Sequence, residues 1–225
     1  MDLFPGFAPL LLSFKLAAIT VVILLLIGLP LAWWLAITNN RAKPLVETLV
    51  ALPLVLPPTV LGFYLLILLG NRGPLGRFWV ETTGHPLAFS FTGLVIASVI
   101  YSLPFVVQPL QTAFEQQGKK YLEVAVTLGA TPWRGFFNTV LPMARRGLLT
   151  AVVLGFAHTM GEFGVVLMVG GNIPGETRVV SIAIYDLVES MQYGAAHRLS
   201  MILLALSFMA LMLVFWVSRR WVSHD

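Results

Sequence analysis

Long apolar runs alternate with short polar connections along this chain. A helix needs about 20 mainly apolar residues to cross ~30 Å of hydrocarbon. Five runs meet that length, at residues 10–37, 50–70, 91–114, 148–171 and 199–217. A sixth apolar stretch, 179–191, is shorter and carries Asp186 and Glu189, so we expect a re-entrant or interfacial helix there. The pattern predicts an all-α, polytopic helix bundle with about five spans in a single domain, residues 1–225.

Composition agrees with a protein that lies in lipid. Of the 225 residues, 58% are hydrophobic and only 11% are charged, whereas a soluble domain carries roughly 25% charged residues. The chain has no cysteine, which excludes disulfides, thiolate metal sites and cysteine nucleophiles. Its length suits one membrane domain and leaves no room for a soluble enzymatic domain beside it.

The distribution of Lys and Arg predicts the orientation. Short cytoplasmic loops carry an excess of these residues. An N-terminus outside and a C-terminus inside place nine of the 14 in the cytoplasm: Arg41, Lys43, Lys119, Lys120, Arg134, Arg145, Arg146, Arg219 and Arg220. The polar loop at 115–147 is therefore predicted to be cytoplasmic.

This loop is predicted to form two short helices. Gly129 follows the first, 118–128, as glycine often does just past a helix end. Thr131 and Pro132 are a typical N-cap and first position for the second, and Pro142 is predicted to break it. Each helix has one apolar face, which fits either a hairpin on the bilayer surface or a helix pair inserted into a groove of a partner. The face residues are Tyr121, Val124, Ala125 and Leu128, then Trp133, Phe136, Phe137 and Val140.

Two features within the spans are candidates for gating or structure. Pro57 and Pro58 interrupt the second span, which fits an ordinary kink or a broken helix in a transport pathway. Glu162 is predicted near the middle of the fourth span, between Gly161 and Gly164, with His158 one turn earlier. A carboxylate at that depth is costly, so Glu162 is expected to face the bundle interior in a structural role; a proton relay with His158 is the alternative.

The spacing of the loop residues resembles a known motif. Glu123, Ala125, Gly129, Leu141 and Pro142 match the pattern E-A-A-x-x-x-G-x(9)-I-x-L-P of permease subunits in binding-protein-dependent ABC importers. Val124 and Thr139 depart from it mildly. The resemblance implies that Glu123, Ala125, Gly129, Ala130, Leu141 and Pro142 form the coupling region that docks on an ATP-hydrolysing subunit.

Further segments are similar to the molybdate branch of that family. They are 52–62, 161–164, 167–177 and 181–185, and sulfate and thiosulfate permeases share the general pattern. The resemblance implies a bacterial inner-membrane protein that imports an oxyanion, which is molybdate in that branch, with tungstate, sulfate or thiosulfate as alternatives. The implied partners are two copies of a cytoplasmic ATPase, a periplasmic or lipid-anchored oxyanion-binding protein and a second copy of this chain, within membrane lipids and without nucleic acid.

Other function classes fit less well. Residues 170–177 nearly match the phosphate loop G-x-x-x-x-G-K-[ST], but Glu176 replaces the lysine that must reach the phosphates. The chain has no G-x-S-x-G or H-E-x-x-H motif for an intramembrane hydrolase. We therefore expect a transport subunit with no catalytic residue, metal or cofactor of its own. An ion-coupled secondary transporter that uses Glu162 and His158 remains the alternative.

Overall fold

The structure is a computed structural model that describes residues 7–220, without the side chains at 117, 119, 213, 214 and 217–220. The side chains of Lys119, Arg219 and Arg220, counted above for orientation, thus lie outside the description. Within it, every regular element is a helix. In chain order these are α1 (Phe7–Ile37), α2 (Lys43–Val55), α3 (Pro58–Leu69), α4 (Pro74–Thr83), α5 (Phe91–Thr127), α6 (Pro132–Met143), α7 (Arg145–Gly161), α8 (Gly164–Gly170), α9 (Val180–Glu189) and α10 (Tyr193–Arg220).

Three of these helices are long and apolar enough to cross a membrane, over Phe7–Ile37, Phe91–Gln116 and Tyr193–Met212. Two sharply bent pairs raise the number to as many as five if each pair is one span: α2 with α3, and α6 with α7. The all-α polytopic class is confirmed, while the count of five stays a prediction. Helix α9 has ten residues, a length of about 15 Å, which is half of what a span requires.

The second apolar run is not one helix. Helices α2 and α3 are bent by 112° relative to each other, so the interruption predicted at Pro57 and Pro58 is a break between two helices and not a mild kink. Leu56 precedes Pro57, and Pro57 precedes Pro58; a residue before proline is pushed out of the helical region, and both have ψ 135°. Pro53 lies inside α2 without ending it.

The fourth apolar run is also divided. Helix α7 ends at Gly161, and α8 begins at Gly164. Glu162 between them is extended, with ψ 133°. The sequence placed Glu162 within a continuous span; the structure places it in a break, where two glycines with poor helix propensity flank it.

Helix α5 is the centre of the bundle. It packs against α1, α7, α8 and α2, and its 37 residues run without a break through Pro104 and Pro109 into the polar loop. The first loop helix predicted at 118–128 is therefore the last part of α5, not a separate helix. Fully buried Phe114 of α5 anchors the core at that end, with Trp33 of α1 and Phe136 of α6 around it.

Pro142 does not break α6, contrary to the prediction. The helix continues to Met143 through a π-helical segment, Phe136–Val140, and bends by 71° only at Ala144. The Leu141 N–H bonds the Phe136 carbonyl, five residues back. A proline ring clashes with the carbonyl four residues earlier in an α-helix, so the wider π turn accommodates Pro142 within the helix.

Core packing at Phe114 predicts a large effect of truncation. Phe114→Ala should lower the free energy of unfolding by about 3–5 kcal/mol, because it removes a fully buried ring from a close-packed site. Phe208→Ala is the matched control, since that ring is 65% exposed. Thermal unfolding of the purified protein in detergent measures both; equal shifts for the two variants would contradict this account of the core.

Candidate functional site

The polar loop turns at Gly129, as the sequence predicts. Gly129 has φ +89°, a left-handed conformation that glycine adopts without a Cβ penalty. Its N–H bonds the Val126 carbonyl at 2.9 Å, and the Ala130 N–H bonds the Ala125 carbonyl at 3.0 Å. This pair of bonds is a Schellman motif, which satisfies the last carbonyls of α5. Thr131 then caps α6 by accepting a hydrogen bond from the Arg134 N–H.

One side of the loop packs against the chain itself. Gly135 of α6 lies so close to α5 that an added Cβ would come within 2.8 Å of Leu122 and 3.4 Å of Ala125. The ring of Phe136 contacts that of Trp33 in a tilted arrangement, with 5.0 Å between the centroids, and Val140 is 1% exposed. These contacts fix α6 against α5 and α1.

The other side presents apolar side chains to the outside. Leu128 is 82% exposed, Trp133 74%, Val124 52% and Phe137 43%. We call these four residues the outward patch. Each predicted apolar face is therefore divided: Ala125, Phe136 and Val140 pack inward, while the outward patch has no cover within the described chain.

The residues predicted to dock on a partner divide in the same way. Glu123, Gly129 and Pro142 are exposed, and Ala130 is half-buried. Ala125 is buried and half-buried Leu141 packs on the core, so both hold the loop in shape. The residues that match the motif do not include the outward patch, but its four residues belong to the apolar faces that hydrophobic periodicity predicted for the two loop helices.

The two helix breaks face each other. A Cβ added to Gly164, at the start of α8, would lie 2.7 Å from Cβ of Pro58, at the start of α3. One turn further on, Gly62 is equally close to Met168. Helices α3 and α8 thus pack glycine against side chain along their length, and the structure brings together Pro57–Pro58 and Gly161–Gly164, which the sequence predicted separately.

Glu162 is held by serine hydroxyls inside the bundle. The side chain is 4% exposed, and its Oε2 accepts a hydrogen bond from Ser98 of α5 at 3.0 Å. Ser181 of α9 donates to the Glu162 backbone carbonyl, which the break leaves without a helical partner. Oε1 is buried and has no hydrogen-bond partner among the described residues.

His158 is hydrogen-bonded to Ser102, which lies one turn after Ser98 on α5. Its Nδ1 lies 2.9 Å from Ser102 Oγ, and its ring stacks on Phe105 at 3.8 Å. Ser98 and Ser102 are four residues apart on α5, and His158 and Glu162 are also four residues apart. Ser98 therefore bonds Glu162 and Ser102 bonds His158, and these two pairs, not a direct bond between His158 and Glu162, connect α5 to the end of α7. Neither serine was predicted as a site residue; the signal that could have indicated them is their spacing on an apolar span, which matches that of His158 and Glu162. Residues 7–220 contain no group of three His, Cys, Asp or Glu side chains that could hold a metal.

The segment that resembles a phosphate loop is closed by its own threonine. Thr177 is fully buried, donates to the Gly170 carbonyl at 2.7 Å and accepts from the Ile173 N–H at 3.1 Å. The hydroxyl that a phosphate loop would offer to a metal ion is thus used within the turn.

Comparison with known proteins identifies the family. A profile for binding-protein-dependent transport system inner membrane components matches residues 25–224. The chain belongs to this family.

Individual relatives agree with this assignment. The chain is 56% identical to the molybdenum transport system permease protein ModB of Azotobacter vinelandii, over 93% of this chain and 92% of the relative. It is 38% identical to the corresponding protein of Escherichia coli K12, over 96% and 94%. The fold matches a bacterial alginate ABC transporter solved with a pentasaccharide-bound periplasmic protein, with TM-score 0.74 and 15% identity over 95% of this chain and 78% of the other.

This permease is a multi-pass protein of the bacterial inner membrane, and its family works with a separate binding protein. It is the permease component of an ABC transporter and not itself a catalytic enzyme. The resemblance stated for the loop and for residues 52–62 and 161–185 is confirmed at the level of the family.

The contact between the two breaks predicts unequal effects for two glycines that lie three positions apart. Gly164→Ala should destabilise the permease by about 1–3 kcal/mol, because the new methyl group overlaps Pro58. Gly161→Ala is the matched control, since nothing lies within 4 Å of a Cβ added there. Thermal unfolding in detergent measures the difference, and an equal tolerance of both changes would show that α3 and α8 are not packed at this point.

Proposed function

We propose that this chain is the transmembrane subunit of an ABC importer that carries molybdate into the cytoplasm, driven by ATP hydrolysis on a separate subunit. The outward patch at the Gly129 turn carries this proposal, because it gives a permease of this family a rigid apolar surface for the ATPase. The proposed orientation, with the N-terminus outside and the C-terminus inside, places that surface in the cytoplasm.

The substrate assignment follows from the relatives. Two molybdenum transport permeases are 56% and 38% identical to this chain, and their similarity extends over more than nine-tenths of its length. A sulfate transport permease is a more distant relative, at 33% identity. Molybdate is therefore preferred to sulfate, thiosulfate or tungstate.

Docking would use both sides of the loop. The outward patch would enter an apolar groove on the ATPase, as amphipathic helices do in helix-in-groove recognition. Glu123 and Gly129 lie beside it on the exposed surface. Ala125, Leu141 and Gly135 support the patch from inside, so that α6 moves together with α5 as one body.

Helix α5 would transmit the movement. It is continuous from the docking turn to Ser98, a distance of about 44 Å at 1.5 Å per residue. Closing of two ATPase subunits on ATP would draw together the loops of two permease copies, and each α5 would carry that displacement to the Glu162 break. Tilting of α3 and α8 about their facing breaks would then open the path outward to the binding protein.

The second copy and the binding protein complete the proposed assembly. Around the Pro57–Pro58 break, Val55, Phe63 and Tyr64 are exposed apolar residues, and this surface is proposed to contact the second permease copy. The nucleotide site is proposed to lie wholly on the ATPase, because Thr177 closes the one phosphate-loop-like turn.

The docking turn can be tested by substitution. Gly129→Trp should reduce molybdate uptake to background while the subunit stays in the membrane, because the new side chain sits where the ATPase docks and strains a left-handed residue. Gly84→Trp is the matched control: Gly84 also ends a helix with positive φ, +75°, and also has nothing within 4 Å of an added Cβ. Unimpaired uptake with Gly129→Trp, or equal loss with Gly84→Trp, would contradict the docking assignment.

The transported ion and the energy source can be tested together. In a strain without other molybdate importers, the assembled importer should take up radiolabelled molybdate, and excess unlabelled sulfate should compete poorly. An inactive ATPase subunit should abolish uptake, whereas a protonophore used at constant ATP should leave it intact. Uptake that survives loss of the ATPase and collapses with the proton gradient would instead support the ion-coupled alternative with Glu162 and His158.

A further inference from the structure

Four polar side chains join α2 to α5 in a closed arrangement. Lys43 and Glu47 lie one turn apart on α2, and Gln111 and Glu115 lie one turn apart on α5. The Lys43 Nζ lies 3.3 Å from Glu115 Oε1 and 3.7 Å from Glu47 Oε1. The Gln111 Nε2 donates to the same two oxygens, at 2.9 Å to Glu115 and 2.8 Å to Glu47. We call these four residues the polar ring.

The register of the two helices produces the polar ring. Each helix offers a nitrogen donor followed one turn later by a carboxylate, and Lys43 lies opposite Glu115 while Glu47 lies opposite Gln111. Each carboxylate oxygen therefore contacts one nitrogen of its own helix and one of the other helix. A side chain that is already held within its own helix loses less conformational entropy when it also bonds across to the other.

The polar ring lies beside an apolar contact at the end of a span. Val50 of α2 is 3% exposed and belongs to the same core cluster as Leu110 and Phe114 of α5. Three of the four ring residues are half-buried, and the apolar part of α5 ends at Gln116. In the proposed orientation the ring lies at the cytoplasmic edge of the membrane. Its ion pairs are screened by salt less than fully exposed ones, because they are partly buried.

Helix α5 is the main attachment of α2. Of the described helices, α5 is the one against which α2 packs most extensively. The other end of α2, about 20 Å away along its 13 residues, reaches the Pro57–Pro58 break, where α3 meets Gly164 of α8. Helix α5 itself continues past the polar ring to the Gly129 turn. A displacement of α5 therefore has a route to this break through α2, in addition to the route through Glu162.

We propose that the polar ring positions α2 on α5 so that the two helices move as one body during transport. This inference rests on the proposed function, because the displacement comes from the ATPase that docks at the Gly129 turn. Helix α5 then moves the start of α2, and α2 turns the Pro57–Pro58 break against Gly164. The four residues are positioning residues, since the contacts that matter are those between the two helices.

Charge reversal tests the polar ring in the complete importer, with its ATPase and binding protein, in proteoliposomes. K43E places a third carboxylate in the ring, so α2 should separate from α5. ATP hydrolysis should persist, while the molybdate taken up per ATP should fall about two- to fivefold, as expected for the loss of a half-exposed ion pair. The swap K43E/E115K restores opposite charges across the two helices and should recover most of that ratio.

A milder variant covers the case in which K43E does not reach the membrane. K43Q removes the attraction to both carboxylates without adding a repulsion, and should lower the same ratio by a smaller factor. A defect in folding alone lowers uptake and ATP hydrolysis together and is not rescued by the swap, so the ratio separates a positioning role from a merely structural one.

A distance measurement reports the same contact without depending on molybdate. The chain has no cysteine, so spin labels can be attached at Thr48→Cys on α2 and Thr112→Cys on α5, which are both exposed positions, before the complex is assembled. With the polar ring intact, we expect one narrow distance distribution that is the same with and without ATP. In K43E the distribution should widen or shift when ATP binds, and in K43E/E115K it should be narrow again.

R77E is the matched control. Arg77 and Glu81 also form an ion pair four residues apart, with 2.8 Å between Nε and Oε1, but both lie on α4, so breaking this pair separates no helices. An unchanged uptake ratio and label distance in K43E, no recovery in the swap, or an equal loss in R77E overturns the inference. If the labels behave as expected but the wild-type importer takes up no molybdate, the proposed function alone is refuted.

Discussion

Hydrogen bonding at the broken helix ends is the constraint on which this structure depends. The interior of a bilayer offers no water to a free carbonyl or amide, so each break must be satisfied by the protein itself. Ser181 donates to the Glu162 carbonyl, Thr177 to the Gly170 carbonyl, and Ser13 of α1 accepts from the Val180 N–H at the start of α9. The Phe89 N–H bonds the Val169 carbonyl at the end of α8. At these four places the irregular backbone has a hydrogen-bond partner within the protein.

Helix α5 connects these satisfied breaks to the aqueous surface. Ser98 and Ser102 lie near its beginning, where they bond Glu162 and His158, and Gly129 follows its other end. A single rigid element thus contacts both candidate sites. A separate loop helix would have added a hinge between them, and the uninterrupted helix removes it.

The sequence predicted elements better than their continuity. Helix ends with local signals, such as the Gly129 turn and the Thr131 cap, were predicted correctly because a few neighbouring residues determine them. At Pro57–Pro58 a kink and a broken helix were both predicted as alternatives, and the break at Glu162 was not predicted. The outcome at such positions depends on whether partners such as Ser181 are near in space. Pro142 shows the reverse case: its local tendency to end a helix is overcome by a π turn packed against Trp33 and Phe114. Hydrophobic periodicity also could not predict which residues of the loop are exposed, because the inward-packed and the outward residues of each apolar face follow the same helical spacing.

The unpartnered Oε1 of Glu162 has a thermodynamic consequence for this conformation. A buried oxygen without a donor costs about 1–3 kcal/mol relative to one that is hydrogen-bonded. Any arrangement of α3, α8 and α9 that brings a donor or a water to Oε1 recovers that free energy. A donor that reaches Oε1 in another arrangement would therefore favour that arrangement by a comparable free energy, at the point where two broken helices meet.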